Sequence, residues 1–497
     1  MFLAPHASVR RRFRHYCGTV GRLRLGSTRF LAVTAAALLC AASSLALDVA
    51  RADTLEGALT LAYQNNPSLN AQRAGTRATD ENVPQALAGY RPRVSVTATG
   101  GEQSLSTTSK VASSTNGTVG NYATSSGYNS PFSVGLTLTQ TLFNGFQTAN
   151  RTRQAEAQVL ASRATLANTV QNVLLNAAGA YMNLLRDEAI LDLQKRNVEV
   201  LQEQLRQTRD RFNVGEVTRT DVAQAESSLA AGRSQVLTAQ ANYASSQATY
   251  RQVIGVNPGK LAAGTPVDRF SPKSLPGAVA TGIGTNPSVA AAQFNVDVAL
   301  RQVKVAEGAL LPTVSVQGQV QKNYLAAGTL STMESYNASL FGTLSVPIYQ
   351  GGGEYSLVRQ AKETLGQTRL NLDVTRDQVR QSVVQAWGQL EAAKANIEAT
   401  TAQVQAAEIA LNGVREEARV GQRTTFDVLT AQQTLVNARV SVVTAQHDRV
   451  VASYSLLSAV GRLNPEVLGL HVPVYRPQVH YEQVRDAWAG TRNPDGR

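Results

Sequence analysis

The chain has 497 residues, with 47 Lys and Arg against 35 Asp and Glu and a formal charge of +12. Residues 1–52 hold eight arginines and one aspartate, a net +7; subtracting that from +12 leaves +5 on the rest, too little basicity to argue for nucleic acid. Both cysteines, Cys17 and Cys40, fall in the same segment, which excludes disulfide and thiol chemistry from everything after it.

Taken in chain order, residues 1–52 read as a secretory signal peptide. Arg10, Arg11, Arg12, Arg14, Arg22, Arg24 and Arg29 come first, then an apolar run Leu31–Leu47, then the small-x-small site Ala50-Arg51-Ala52. The run is short for a membrane anchor. Leu39 stands where a lipoprotein site wants a small residue, so lipidation at Cys40 is not expected. No later segment reaches 18 uninterrupted apolar residues, so a membrane crossing would require a closed β-barrel.

The remainder is written twice. Asn66-Pro67-Ser68 recurs as Asn286-Pro287-Ser288, and Pro92-x-Val94-Ser95-Val96 as Pro312-x-Val314-Ser315-Val316. Farther on, Val214-Gly215…Asp221-Val222 recurs as Val420-Gly421…Asp427-Val428. These matches divide the chain into a first repeat at 53–257, a Pro-rich linker at 258–285, a second repeat at 286–465 and a tail at 466–497.

Each copy opens with a helix, roughly 67–89 and 287–309, ending before Pro92 or Pro312. A short alternating strand follows at Val94, Val96, Ala98 or Val314, Val316. A polar loop, 101–131 or 321–336, leads to a second strand: Val134, Leu136, Leu138 or Leu340, Leu344, Val346. Then comes a very long helix. Stepping by four and three from Leu166 to Phe212 meets eleven apolar residues in fourteen, and the same steps from Leu372 to Ala418 meet twelve. A chain that is 43% hydrophobic would give about six by chance, so the period signals coiled-coil packing. The helix from 147 to 214 would be about 100 Å long and its return from 219 to 254 about 50 Å. The short initial helix is the piece available to cover the difference, stacked end to end with the return helix.

Four strands cannot close a barrel, because membrane barrels need at least about 8 and open edges in lipid are costly. Closure therefore requires several chains. The fold class is mainly α with a small β part: long antiparallel coiled-coil helices plus four strands per chain that contribute to a shared barrel. The alternative is an exported helical structural or surface protein without a pore.

Several motifs resemble the TolC-like outer membrane efflux proteins. They are Thr54-Leu55-Glu56-Gly57-Ala58-Leu59 followed by Asn66-Pro67, the junctions Gln140-Thr141-Leu142-Phe143-Asn144-Gly145 and Val346-Pro347-Ile348-Tyr349-Gln350-Gly351, and the doubled Val-Gly-x5-Asp-Val. The likeness runs in order over about residues 53–465. It implies a homotrimer in the cell outer membrane with a twelve-stranded barrel and a periplasmic α-barrel. It also implies a periplasmic adaptor and an inner-membrane transporter of the ABC or RND type. The expected role is an exit duct for protein secretion or small-molecule efflux, not an enzyme and without a cofactor.

The hairpin tips are where a mechanism is expected. Gly215 and Gly421 fit helix ends that need positive φ. Thr218…Asp221 and Thr424…Asp427 fit capping boxes of the next helix. The resemblance adds a periplasmic entrance gate: Asp427 in an acidic ring, and Arg423 latched to Thr220 or Asp221 of a neighbouring hairpin. Val214, Gly215, Val420 and Gly421 would meet the adaptor. Ala418 and Thr430 depart from the family pattern, where a latch tyrosine and a second ring acid occur. Elsewhere, His447, His471 and His480 lack metal-ligand spacing, and Gly351-Gly352-Gly353 lacks the Lys-Ser/Thr of a phosphate loop.

Overall fold

The computed structural model describes residues 54–111, 121–327 and 331–494. The expected signal segment, with its arginines and both cysteines, lies outside the described residues. The first repeat contributes α1 (Leu55–Asn65), α2 (Pro67–Asp80) and α3 (Asn82–Leu87), then β1 (Arg93–Gly100), β2 (Gln103–Val111) and β3 (Asn121–Asn144). The long helix α4 (Gln147–Asn213) and its return α5 (Arg219–Ile254) complete it. The linker carries α6 (Leu275–Thr285), and the second repeat follows as α7 (Pro287–Gly308), β4 (Thr313–Ala327), β5 (Ser331–Ser345), α8 (Gly353–Arg419) and α9 (Thr425–Ala459). A short helix α10 (Pro477–Val484) lies in the tail.

The two long helices have 67 residues each, so each runs about 100 Å. Their seams are buried as the spacing predicts. Leu166, Val173, Ala177, Leu184, Leu191, Leu201 and Leu205 are buried along α4, and Leu372, Val379, Val383, Ala386, Leu390 and Leu411 along α8. The polar seam member Asp187 is also buried. It accepts from Arg186 Nε at 2.9 Å and from the hydroxyl of Ser246 on α5, which keeps the charge paired.

The short helices stack on the return helices through one residue type. Asn66 caps α2, its Oδ1 accepting from Ser68 N at 3.0 Å, while its Nδ2 donates to the Val253 carbonyl near the end of α5 at 3.0 Å. Asn286 repeats this on α7, accepting from Ser288 N at 2.9 Å and donating to the Ala459 carbonyl of α9 at 2.9 Å. Asn66 also accepts from Leu69 N at 3.3 Å, so each asparagine satisfies at least one orphan donor of one helix and an orphan acceptor of another. Proline at the first helical turn needs no hydrogen on its nitrogen there.

Three sequence expectations are corrected. The initial helix of the first copy is not continuous, since α2 ends at Asp80 and α3 restarts at Asn82. The linker contains a helix, α6, despite Pro276, Gly277 and Gly282, because it buries Ala278 and Gly282 against α8. A Cβ on Gly282 would lie 2.9 Å from Val383 Cγ2, so glycine is what lets α6 approach. The polar segments read as loops are largely strand: β2 and β3 cover 103–111 and 121–131, and β4 and β5 extend through the second. Serine and threonine suit a pleated backbone exposed on both faces, and Thr108 and Thr124 hydrogen-bond across the pair at 2.9 Å. Residues 112–120 and 328–330 of these segments lie outside the described residues.

Candidate functional site

The sheet is antiparallel in the order β1-β3-β4-β5, with β2 pairing the outer part of β3 that β1 leaves free. β1 and β2 are therefore one strand position, interrupted at Gly101-Glu102. The register places apolar residues together on one face. Val94 faces Leu138, Val96 faces Leu136 and Ala98 faces Val134. The row continues as Leu136 to Val320, then Val314 to Leu344 and Gly318 to Leu340. The same pairings put Ser95, Thr97, Thr137, Gln317, Gln319, Gln321, Asn337 and Ser339 on the opposite face, with Phe341 among them opposite Gln317. There Gln319 donates to Gln321 at 2.9 Å and Gln321 to Asn323 at 2.7 Å, a polar ladder along the strand.

Val314 to Tyr324 is ten residue steps on β4, about 34 Å along the strand. Tilted as barrel strands are, it spans about 25 Å, the height of a barrel's apolar band. At its far end Tyr324 packs near Phe132, with ring centroids 6.2 Å apart, and Lys322 pairs with Glu334. Among the described residues, β1 and β5 each have one edge without a strand neighbour. Beyond the last β3–β4 pair, Asn129 with Ala327, the β2–β3 hairpin continues alone.

At the junction below the sheet, Gly145 (φ 62°) turns β3 into α4. A Cβ there would overlap the Gly308 carbonyl and lie 2.9 Å from Leu311 Cβ; a Cβ on Gly308 would overlap the Gly145 carbonyl. The two repeats thus cross backbone to backbone. Gly351, the counterpart of Gly145, has nothing within 4 Å of its Cβ position.

At the other end lie the two hairpin tips, with an open cleft of about 920 Å³ between them. Gly215 (φ 78°) and Gly421 (φ 79°) make the turns. Both capping boxes form. Asp221 accepts from Thr218 N at 2.9 Å and from its hydroxyl at 2.7 Å, and Asp427 accepts from Thr424 N at 3.0 Å and from its hydroxyl at 2.9 Å. These bonds hold both carboxyls below the usual carboxylate range. Val214 and Val420 are exposed at the turns.

Arg423 is held within its own hairpin. Its Nε donates to Glu417 Oε2 at 2.8 Å, and this pairing raises its pKa. Thr220 and Asp221 are not its partners within the chain. The first tip carries the reverse arrangement: Arg211, the counterpart of Glu417, pairs with Glu216 of the turn at 2.9 Å. Sequence reasoning missed both pairs. The signal was there in the opposite charges of Arg211 and Glu417 at matched positions, each with a residue of the other sign in its turn. Among the described residues, no group of three or more His, Cys, Asp or Glu is placed to hold a metal ion, and no helix is long and apolar enough to cross a membrane.

The family model described as outer membrane efflux protein matches residues 58–256 and 283–462. The chain belongs to the outer membrane efflux protein family. It is 42% identical to the outer membrane efflux protein BepC of Brucella suis, over 94% of this chain and 98% of that one. It is 28% identical to the outer membrane protein TolC of Escherichia coli, over 86% of each. Its fold is similar to the Campylobacter jejuni CmeC outer membrane channel, with a TM-score of 0.69 at 18% identity, covering 87% of this chain and 89% of that one. This family member is an outer-membrane exit duct with a long periplasmic helical part.

Proposed function

We propose that three copies of the chain close a twelve-stranded barrel in the outer membrane and continue it as a helical conduit through the periplasm. The conduit receives protein or small-molecule cargo from an inner-membrane transporter of the ABC or RND type through a periplasmic adaptor. The observation that carries this reading is the sheet: one face apolar, one face mostly polar, and, among the described residues, two edges without a strand neighbour. An exported rod without a pore has no use for such a sheet. The repeat supports ring closure as well. α7 packs between α4 and α8, so the matching helices α1–α3 of a neighbouring chain are suited to cover α8, where Leu357, Leu370 and Val374 are exposed. The test is the mass of the detergent-extracted mature protein by light scattering. A trimer is expected; a monomer would sink the barrel.

The hairpin tips suit a gate on the periplasmic side. Asp427 lines an acidic constriction, and Arg423 exchanges its Glu417 partner for Thr220 or Asp221 of a neighbouring hairpin when the entrance is latched. Val214 and Val420, exposed beside Gly215 and Gly421 with open space at both glycine Cβ positions, suit close approach by the adaptor. Arg423→Ser should raise single-channel conductance in planar bilayers; unchanged conductance would remove the latch.

A further inference from the structure

We propose that the carboxy-terminal strap is a membrane-interface anchor, which sets Trp488 and its arginines into the phospholipid headgroups of the inner leaflet beside the barrel. The inference rests on the sheet being the membrane-spanning element. The strap climbs the outside of the first repeat by a series of fixed contacts. Tyr475 N donates to the Tyr63 hydroxyl at 3.1 Å, His480 Nδ1 meets Asp80 Oδ2 at 3.0 Å, and the Arg163 guanidinium lies 5.0 Å from the Tyr481 ring centroid. Val484 is buried. The strap then arrives at Arg91, whose Nη1 donates to the Ala487 carbonyl at 2.6 Å and whose guanidinium stacks 4.6 Å from the Trp488 ring.

That contact sits at a telling height. Arg91 precedes β1 by two residues, and Val94, three residues on, is the first member of the apolar face. Three strand residues, tilted as barrel strands are, rise about 7 Å, the depth of one headgroup layer. Val94 and Val96 are 64% and 69% exposed, Trp488 is 73% exposed, and Tyr90 is exposed beside them. An indole stacked on a cation and left open to solvent is wasted in water but matches the amphipathic layer where tryptophan and tyrosine collect. The charge agrees. Arg91, Arg93, Arg485 and Arg492 stand against Asp486 in residues 90–93 and 485–494, four positive and one negative, a net +3 suited to lipid phosphate.

The chain's two tryptophans make a direct test. Trp387 packs against the core of the second repeat, so Trp387→Phe leaves Trp488 as the sole reporter. The full trimer is placed in phospholipid nanodiscs with and without bromine on the upper acyl chain. Trp488 emission is expected to shift to the blue relative to the same protein in amphipol, and to be quenched about twofold by the brominated lipid. Emission untouched by bromine and open to aqueous acrylamide would overturn the anchor. A second reporter, Leu340→Trp in a Trp387→Phe/Trp488→Phe background, lies in the middle of the apolar face. If it is quenched while Trp488 is not, the anchor falls and the barrel stands. If neither is quenched, both fall.

Discussion

Asn286 donates its side-chain amide to the Ala459 carbonyl at 2.9 Å, and so joins the start of one helix to the end of another. Replacing Asn286 by Ala removes the α7 cap and strands a carbonyl at the end of α9. A loss of about 1–3 kcal/mol is expected, from the cap and the unpaired acceptor together. Asn286→Asp keeps the cap but loses the donor, so it should fall between wild type and Asn286→Ala in thermal unfolding. Equal midpoints for all three would show that the bridge contributes nothing.

Gly308 tests the crossing beneath the sheet. Its φ is not left-handed, so the cost of Gly308→Ala is steric, and the contact it would meet is the Gly145 backbone. About 1–3 kcal/mol of overpacking is expected. It should be seen as a lower yield of heat-resistant oligomer on gels. Gly366→Ala, at an open helical position on α8, is the control and should leave the yield unchanged.

Glu417 competes for Arg423, so Glu417→Gln should free the arginine for its neighbour. Conductance is expected to fall in this variant and to rise in Arg423→Ser. The double variant should match Arg423→Ser alone, because glutamine at 417 has no arginine left to release. A double variant intermediate between the two would mean that Glu417 acts by another route.

The capping carboxylates set an acid limit. Asp221 and Asp427 are held below the unfolded value of about 3.8 by hydrogen bonds from Thr218 and Thr424. Their contribution is fully present above that value and is lost as pH falls through the lower folded one. The tips should therefore stay protected from hydrogen exchange at pH 5 and loosen below about pH 4. Thr218→Ala or Thr424→Ala should loosen them at neutral pH, by about 1 kcal/mol each. Tips with the same protection at pH 3 and pH 7 would refute the assignment.

Asp80 behaves in the opposite sense. Its side chain is fully buried, and burial raises its pKa against the lowering effects of His480, Arg163 and Arg77. A raised folded value means a contribution that is complete below about 3.8 and is lost as pH rises through the folded value. Asp80→Asn removes the charge and should hold the strap more firmly at pH 7, measured as slower proteolysis between Val472 and Trp488. His480→Ala leaves the buried carboxylate short of a partner and should speed that cleavage, by about tenfold for 1.4 kcal/mol. Identical cleavage rates would show that the pair does not pin the strap.

The sequence was most legible where one period was sustained. The seam from Leu166 to Leu205 reads as a coiled coil without any structure, and α5 follows from the box Thr218…Asp221 and the glycine at 255. It was least legible where tertiary contact overrides composition. Leu275–Thr285, with its proline and three glycines, reads as a helix only as the counterpart of α1, 220 residues earlier, with Ser274 capping Gly277 N as Thr54 caps Gly57 N. The polar hairpin between Gln103 and Pro131 has no alternation to reveal it, because neither face of its upper part meets a core. Asn66 was visible as a repeated motif, but its double role depends on a carbonyl 187 residues away. Arg423 stands out in its turn, while Glu417 does not, since a helical glutamate near a turn looks like any solvated charge.

The unequal hairpins have a consequence for how the channel looks from its two sides. β2 and β3 rise past the β4–β5 hairpin by eight residues, about 27 Å of strand. In a ring of three chains the periplasmic mouth would show six nearly alike coiled-coil ends. The outer mouth would instead be a crown of three tall, hydroxyl-rich prongs with three low gaps between them. Whatever approaches from the cell's interior meets a surface with almost sixfold rhythm, whereas whatever arrives from the environment meets only three equivalent places to land.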